Sequence, residues 1–324
     1  MFKRSLAALA AAGTLFGATP AAVAKDFPSE PIRLIIPFAP GGTADIVGRL
    51  FAQKLGQKLD GNVVVENKAG AAGVIGSRFV AEAKPDGHTL LLASSSTHAA
   101  NPAIYAKLPY DALADFTPIT QIVSVPGVLS VNDDVKAATL ADLVADSRAH
   151  PTQYTYASSG AGTLGNLAME LFKKNSGAEI LHVAYKGAGP AFNDVIGRQV
   201  SMIWEPLPSS LPFIKSGRLR ALAVASSQRL PEIPDVPTFV EAGIGSYDVS
   251  AWNGLLGPKG MPADLTDRIQ KAAVEALKDP ELQQRFKELG GTVVGNTPDQ
   301  FRTVMGSEIA KWKDVAAAAN IKLD

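Results

Sequence analysis

The sequence predicts an α/β fold in two domains. Three observations predict it. Apolar strand-like runs alternate with amphipathic helical stretches near the N-terminus, and a second such block follows in the middle of the chain. The 324 residues, or 300 once a leader is set aside, exceed what a single core usually serves.

In order along the chain, Ile32-Arg33-Leu34-Ile35-Ile36 reads as a buried strand, and Ile46, Val47, Leu50, Phe51 and Leu55 then recur at helical spacing. Val63-Val64-Val65 is the next strand, Val74 to Ala83 a helix, and Thr89 to Ala93 a third strand. This β-α-β-α-β order implies a parallel sheet with helices on both faces. In the middle block Gly127 to Val131 is a strand. Thr139 then caps a helix, with Asp142 at the third position in place of the usual Glu. Tyr154 to Ala157 is a strand, and Leu164, Leu167, Ala168, Leu171 and Phe172 form a helical stripe. Leu181 to Ala184, Val200 to Trp204 and Leu219 to Ala225 read as further strands. After Pro231, Pro234 and Pro237 come Trp252 to Leu256 and three helices, over 263–277, 280–289 and 297–319. Pro262, Pro280 and Pro298 stand at or near their starts, where proline is tolerated.

The N-terminus predicts export. Met1 to Arg4 is basic, Ser5 to Ala18 is small and apolar without charge, and Ala22-Val23-Ala24 is an A-x-A cleavage site. These parts in this order make a signal peptide over residues 1–24. The apolar run falls short of the ~20 residues that span a bilayer. Without the leader, 29 Lys and Arg face 31 Asp and Glu, a net charge of −2. That balance argues against nucleic acid as a partner. The chain has no Cys, so no disulfide and no thiolate zinc site are expected.

Three Gly/Ser/Thr-rich turns follow predicted strands. The first holds Phe38, Pro40, Gly41, Gly42, Thr43 and Asp45; the second holds Ser94, Ser95, Ser96, Thr97 and His98; the third holds Ser158, Ser159, Gly160, Gly162 and Thr163. In parallel α/β sheets such turns lie at the carboxyl ends of strands, where ligands bind. Glycines let backbone N–H groups approach a ligand, and a helix N-terminus favours an anion. A micromolar receptor needs roughly 8 kcal/mol. Hydrogen bonds to a charged group contribute roughly 1.5–3 kcal/mol each, and helix ends add up to about 2 kcal/mol. Four to six contacts of this kind suffice after an association cost of roughly 4 kcal/mol or more. Two or three converging turns therefore hold a carboxylate without any Arg.

Other motifs carry less. Gly160-Ala161-Gly162-Thr163-Leu164-Gly165 matches G-x-G-x-x-G, with Glu179 in place for a ribose contact, but a lone match in an exported chain is weak. Pro40 to Thr43 lacks the Gly-Lys-Ser/Thr ending of a P-loop. His88, His98, His150 and His182 form no H-x-x-H pair, so no metal and no cofactor are expected. Ser94 or Ser96 with His98 can be drawn as a hydrolytic pair, without a third member or a G-x-S-x-G elbow. Tyr185, Lys186 and Gly187 end a strand and start a helix, with Lys186 as a candidate cation for the ligand; Glu205 ends another strand, and Trp252 is a candidate cleft wall.

Taken together, these residues resemble the substrate-binding proteins of tripartite tricarboxylate transporters, also called the Bug family. The resemblance runs over the whole chain after the leader. It includes Phe38 to Asp45, Val65-Glu66-Asn67-Lys68-Ala69-Gly70-Ala71-Ala72-Gly73, Lys84-Pro85-Asp86-Gly87, Thr97 to Pro102, Leu108 to Asp111, Asp115 to Ile119, Tyr185 to Gly187, Gly217 to Ala223 and Pro234 to Thr238. It implies a type II periplasmic binding protein of two domains, each a mainly parallel sheet flanked by helices, with the ligand cleft between them. Domain 1 would comprise 25–123 plus 226–324, and domain 2 would comprise 124–225. The ligand would be a small carboxylate (di- or tricarboxylate, amino acid or aromatic acid), bound by the three turns with Tyr185 to Gly187 as a fourth. A monomeric receptor in the periplasm would pass it to membrane subunits of the transporter. Trp204-Glu205 departs from the Phe-Asp that family members often carry there, so ligand identity does not transfer. The alternatives are a ligand-sensing subunit for a membrane signalling partner and an exported hydrolase.

Overall fold

The computed structural model describes residues 27–245, 247, 249–318 and 321–323; the expected leader lies outside them. The chain opens with β1 (Ile32–Ile36), α1 (Thr43–Leu59), β2 (Val63–Asn67), α2 (Val74–Ala81) and β3 (Thr89–Ser94). A single wide turn over Ser96–Ala100 leads into the short α3 (Asn101–Ile104). β1 pairs in parallel with β2 and β3, as the alternating pattern predicts.

Next comes β4 (Phe116–Val131), the longest strand. The sequence reading kept only its last five residues, because Pro118 and Pro126 interrupt the run. The strand shifts register between Pro118 and Thr120 and again between Gln121 and Val123, while Pro126 keeps its place opposite Ser250. Its first part, through Pro126, pairs antiparallel with β9 (Ser250–Pro258), and β9 pairs antiparallel with β3. From Gly127 onward β4 pairs instead with β7 (Met202–Pro206) and β8 (Arg220–Ala225). One strand therefore runs through two groups of strands.

The second group is completed by α4 (Leu140–Ala149), β5 (Thr155–Ser158), α5 (Leu164–Ser176), β6 (Leu181–Ala184), α6 (Ala188–Ile196) and α7 (Leu207–Lys215). β5 lies parallel to β6 and β7. The capping box of α4 is present: the Thr139 side chain accepts from the Asp142 N–H, and the Asp142 carboxylate accepts from the Thr139 N–H. Helix α7 escaped the sequence reading because Pro206, Pro208 and Pro212 punctuate it. The chain closes with α8 (Ala263–Leu277), α9 (Pro280–Glu288), β10 (Thr292–Val293) and α10 (Pro298–Ala318), and β10 adds to the first part of β4.

The sheet is mixed and runs β2-β1-β3-β9-β4-β7-β5-β6, with β8 and β10 attached to β4. Its parallel parts are the two βαβ blocks read from the sequence. The antiparallel pairings enter where β4 and β9 join them. The largest buried cluster runs from Ile32, Leu34 and Phe51 through Leu129 and Tyr156 to Trp204. A second lies under α6, around Phe192, Val195 and Ile203. Among the described residues no helix is long and apolar enough to cross a membrane.

Candidate functional site

The carboxyl ends of β1, β3 and β7 and the turn after β5 surround one cleft of about 510 Å³, open mouth included. Of the residues singled out in the sequence, Phe38, Gly42, Thr43, Ser94, Ser95, Ser96, Ser159 and Glu205 line it. Trp252, the candidate wall, also lines it. Residues that the turn pattern missed are Ala44, Leu164, Gly165, Ala188, Trp204, Pro206, Ala251 and Asn253. The strand-end position of Trp204-Glu205-Pro206 was the available signal for β7; nothing in the pattern flagged Ala251 or Asn253 on β9.

Two helix starts open onto the cleft. Helix α1 has Gly42 as its N-cap, so no side chain caps its first turn. Helix α5 begins after Thr163, whose hydroxyl donates to the Gly160 carbonyl and leaves the helix end uncapped by its own turn. Instead, the Leu164 N–H donates to Ser96 Oγ at 3.0 Å from the opposite side of the cleft. A second bridge runs from Thr43 Oγ1 to Ser209 Oγ of α7 at 3.1 Å. Helix α5 lies close on β7 because residue 165 is glycine: a Cβ there would stand 2.8 Å from the Trp204 carbonyl oxygen.

Trp204 forms part of the lining for a similar reason. It is fully buried, and a Cβ on Gly127 would fall 1.9 Å from its Cζ2 atom. Leu129 is the residue registered opposite Trp204, so Gly127 is the diagonal neighbour on the same face. The missing side chain at 127 makes room for the indole.

The cleft carries little formal charge. Among the described residues, Glu205 is the one acid or base in its lining. Burial pushes the Glu205 carboxyl up to about 7, against the opposing hydrogen bonds from the Ser159 hydroxyl and N–H. Three buried polar atoms of lining residues have no hydrogen-bond partner: Trp204 Nε1, Trp252 Nε1 and Glu205 Oε1.

The remaining predicted residues do not line the cleft, and their contacts explain why. The Asp45 carboxylate accepts from Gly41 N–H, Arg49 Nε and Asn67 Nδ2. Burial raises its pKa, but hydrogen bonds from Arg49, Asn67 and Gly41 outweigh that and leave it lowered. Asp45 thus shapes the first turn from behind. Thr97 is buried and closes its own turn by hydrogen bonds with Ser94. His98 is fully buried against the Tyr110 and Phe116 rings, with Nδ1 2.9 Å from Thr97 Oγ1. Burial alone lowers its pKa to about 3. It is a neutral core histidine, and neither Ser94 nor Ser96 is its hydrogen-bond partner, which removes the hydrolytic pair.

In the third turn Ser158 is buried and meets His182 Nε2 at 2.6 Å, while the Gly162 N–H donates to Asn166 Oδ1. These groups and Gly160 and Thr163 fold the turn without reaching the cleft. Tyr185 turns its hydroxyl onto Asp194 of α6, and Lys186 is exposed. Pro40 and Gly41 are exposed at the mouth. There the first and fourth turns touch: a Cβ on Gly189 would lie 2.4 Å from the Pro40 oxygen, and one on Gly187 would lie 2.9 Å from Ala39 Cβ. The fourth turn acts as a backbone contact for the first.

Residues 47–321 match the family described as tripartite tricarboxylate transporter family receptor. The chain belongs to that family. It is similar to the protein BugT of Bordetella pertussis strain Tohama I, at 38% identity over 301 residues, covering 93% of this chain and 92% of BugT. Its fold is similar to that of R. palustris Rpa4515 solved with adipate, with a TM-score of 0.89 at 33% identity, covering 92% of this chain and 99% of the other. It is also similar to MatC of Rhodopseudomonas palustris with bound malate, with a TM-score of 0.86 at 30% identity, covering 89% of this chain and 99% of MatC. For this family receptor the same observations explain both the fold and the placement of the cleft: two βαβ blocks, joined through β4 and β9, present their strand ends to each other.

Proposed function

We propose that this family receptor binds a small carboxylate in the cleft between two domains, as an extracytoplasmic solute receptor for a tripartite tricarboxylate-type uptake system. The carrying observation is the pair of helix starts, α1 and α5, that open from opposite sides onto a cleft with no Lys or Arg among the described residues that line it. Oriented backbone N–H groups and hydroxyls replace a cation there. The relatives solved with adipate and malate support the ligand class.

Domain 1 is residues 25–123 plus 226–324 and domain 2 is residues 124–225. The change in partners of β4 at Pro126–Gly127 supports a crossing near that boundary. The receptor works in the periplasm as a monomer after cleavage behind Ala24, and N-terminal sequencing of the exported protein then begins at Lys25. It delivers its ligand to the membrane subunits of the transporter. The reading makes it a receptor and not an enzyme, which its membership of a family of receptors supports.

Thermal melts and calorimetry against di- and tricarboxylates, amino acids and aromatic acids test the reading. A true ligand at about 100 times its Kd stabilises the protein by about 2.7 kcal/mol. Failure of every acid to shift the melt, with the protein folded, overturns it.

A further inference from the structure

We propose that Glu205 is the specificity residue of this cleft: it meets the ligand as a neutral carboxylic acid, donates its proton to a ligand carboxylate, and so selects dicarboxylates without an ammonium group, with proton uptake on binding. The proposal rests on the carboxylate-receptor reading and extends it to the ligand class and its protonation.

Glu205 is 5% exposed, lines the cleft, and leaves Oε1 without a partner. Val128 of β4 is registered opposite it, and a Cβ on Gly165 of α5 would lie 3.8 Å from Oε1. No charge offsets it from the elements packed on β7. β4 holds no ionisable residue, and β5 holds only Tyr156, whose hydroxyl donates to Glu170. On α5 Glu170 pairs with Lys173, and Lys174 is exposed near the far end. Asp194 of α6 accepts from Tyr185, and Lys215 of α7 is exposed at the helix end. Burial and Ser159 are the causes of the Glu205 shift, with no contribution from any charged group.

Two further buried lining groups are donors without an acceptor. Trp204 Nε1 and Trp252 Nε1 are buried and unpartnered, and the two helix starts add positive dipole ends. Such surroundings suit acceptors on the ligand and oppose an ammonium. An ionised Glu205 beside a ligand carboxylate, with no cation between, would repel it. One proton shared between the two removes the repulsion and makes a strong O–H···O⁻ hydrogen bond. That proton comes from solvent whenever Glu205 is ionised before binding, and no covalent bond changes.

Calorimetric titration of the full chain with succinate, adipate, L-malate and L-aspartate at about pH 6, 7 and 8.5 tests this. The dicarboxylate that binds should lose affinity by about 15-fold between about pH 7 and 8.5. It should take up close to one proton per ligand at the higher pH, read from heats in buffers of different ionisation enthalpy. Glu205→Gln, a neutral donor of the same shape, should keep at high pH the affinity that the unaltered protein shows at low pH, without proton uptake. A pH-independent affinity without proton uptake overturns the proposal and leaves the receptor reading standing. So does a folded Glu205→Gln that binds nothing, or aspartate that binds best and tightens as pH rises. If none of the acids binds either protein at any pH, the receptor reading fails for them and the proposal fails with it.

Discussion

Glu205 and Asp45 show how two buried carboxyls of one fold acquire opposite titration behaviour. Asp45 is buried among donors and is held below its usual range; Glu205 is buried with Ser159 alone and rises to about 7. In the unfolded chain Glu205 ionises near 4.5. Between the two values the folded protein binds the extra proton, so ligand-free stability falls as pH rises from about 4.5 to about 7 and is level above. The Glu205 contribution to that fall is about 3 kcal/mol. Urea melts of the unaltered protein and Glu205→Gln over this range should show their difference changing by that order; a constant difference contradicts it. Asp45 acts in the other direction: its contribution is present above about pH 4 and is lost as pH falls through its depressed value. At Gly127 the test is steric. Gly127→Ala should destabilise by about 1–3 kcal/mol or more through overpacking on Trp204. Adding Trp204→Phe should recover part of that loss, with a coupling energy measurable in a double-mutant cycle.

Among the elements, the helices with strong local signals were legible. The capping box at Thr139 and Asp142 depends only on residues three apart, and it is in place. Thr139→Ala should cost about 1 kcal/mol of stability by denaturant melt. It should leave ligand affinity unchanged, because α4 does not line the cleft. β4 and α7 were not legible in full. Prolines inside both break the local pattern, and tertiary neighbours restore it: β9 holds the first part of β4, while β7 and β8 hold the rest. In α7 the Ser209 hydroxyl donates to the Pro206 carbonyl at the helix start. The same limit applied to the turns. Ser94 to Ser96 reach the cleft, whereas Thr97 and His98, one step further along, face the core. A turn motif names a segment and not the direction of each side chain within it.

At the scale of the molecule, hydrogen bonds span the cleft, among them Leu164 N–H to Ser96 Oγ and Thr43 Oγ1 to Ser209 Oγ. Each is worth about 1 kcal/mol net. Removing both with Ser96→Ala and Thr43→Val should enlarge the ligand-free particle in small-angle scattering and weaken ligand binding by roughly 10-fold. An unchanged radius of gyration together with unchanged affinity would show that these bonds do not bias closure. Local order in the chain was enough to determine the α/β class, the two βαβ blocks and the strand-to-helix turns, because periodicity, caps and glycine-rich turns act over a few residues. Family membership was legible as well, through short blocks in a fixed order. Tertiary structure decided the rest. It brought β9 and the end of β7 to the cleft, placed Trp204 over Gly127, turned His98 and Asp45 away, and left Glu205 buried without a counter-charge. Those outcomes depend on which distant segments meet, since desolvation and steric fit are properties of the packed neighbours and not of the residue that feels them.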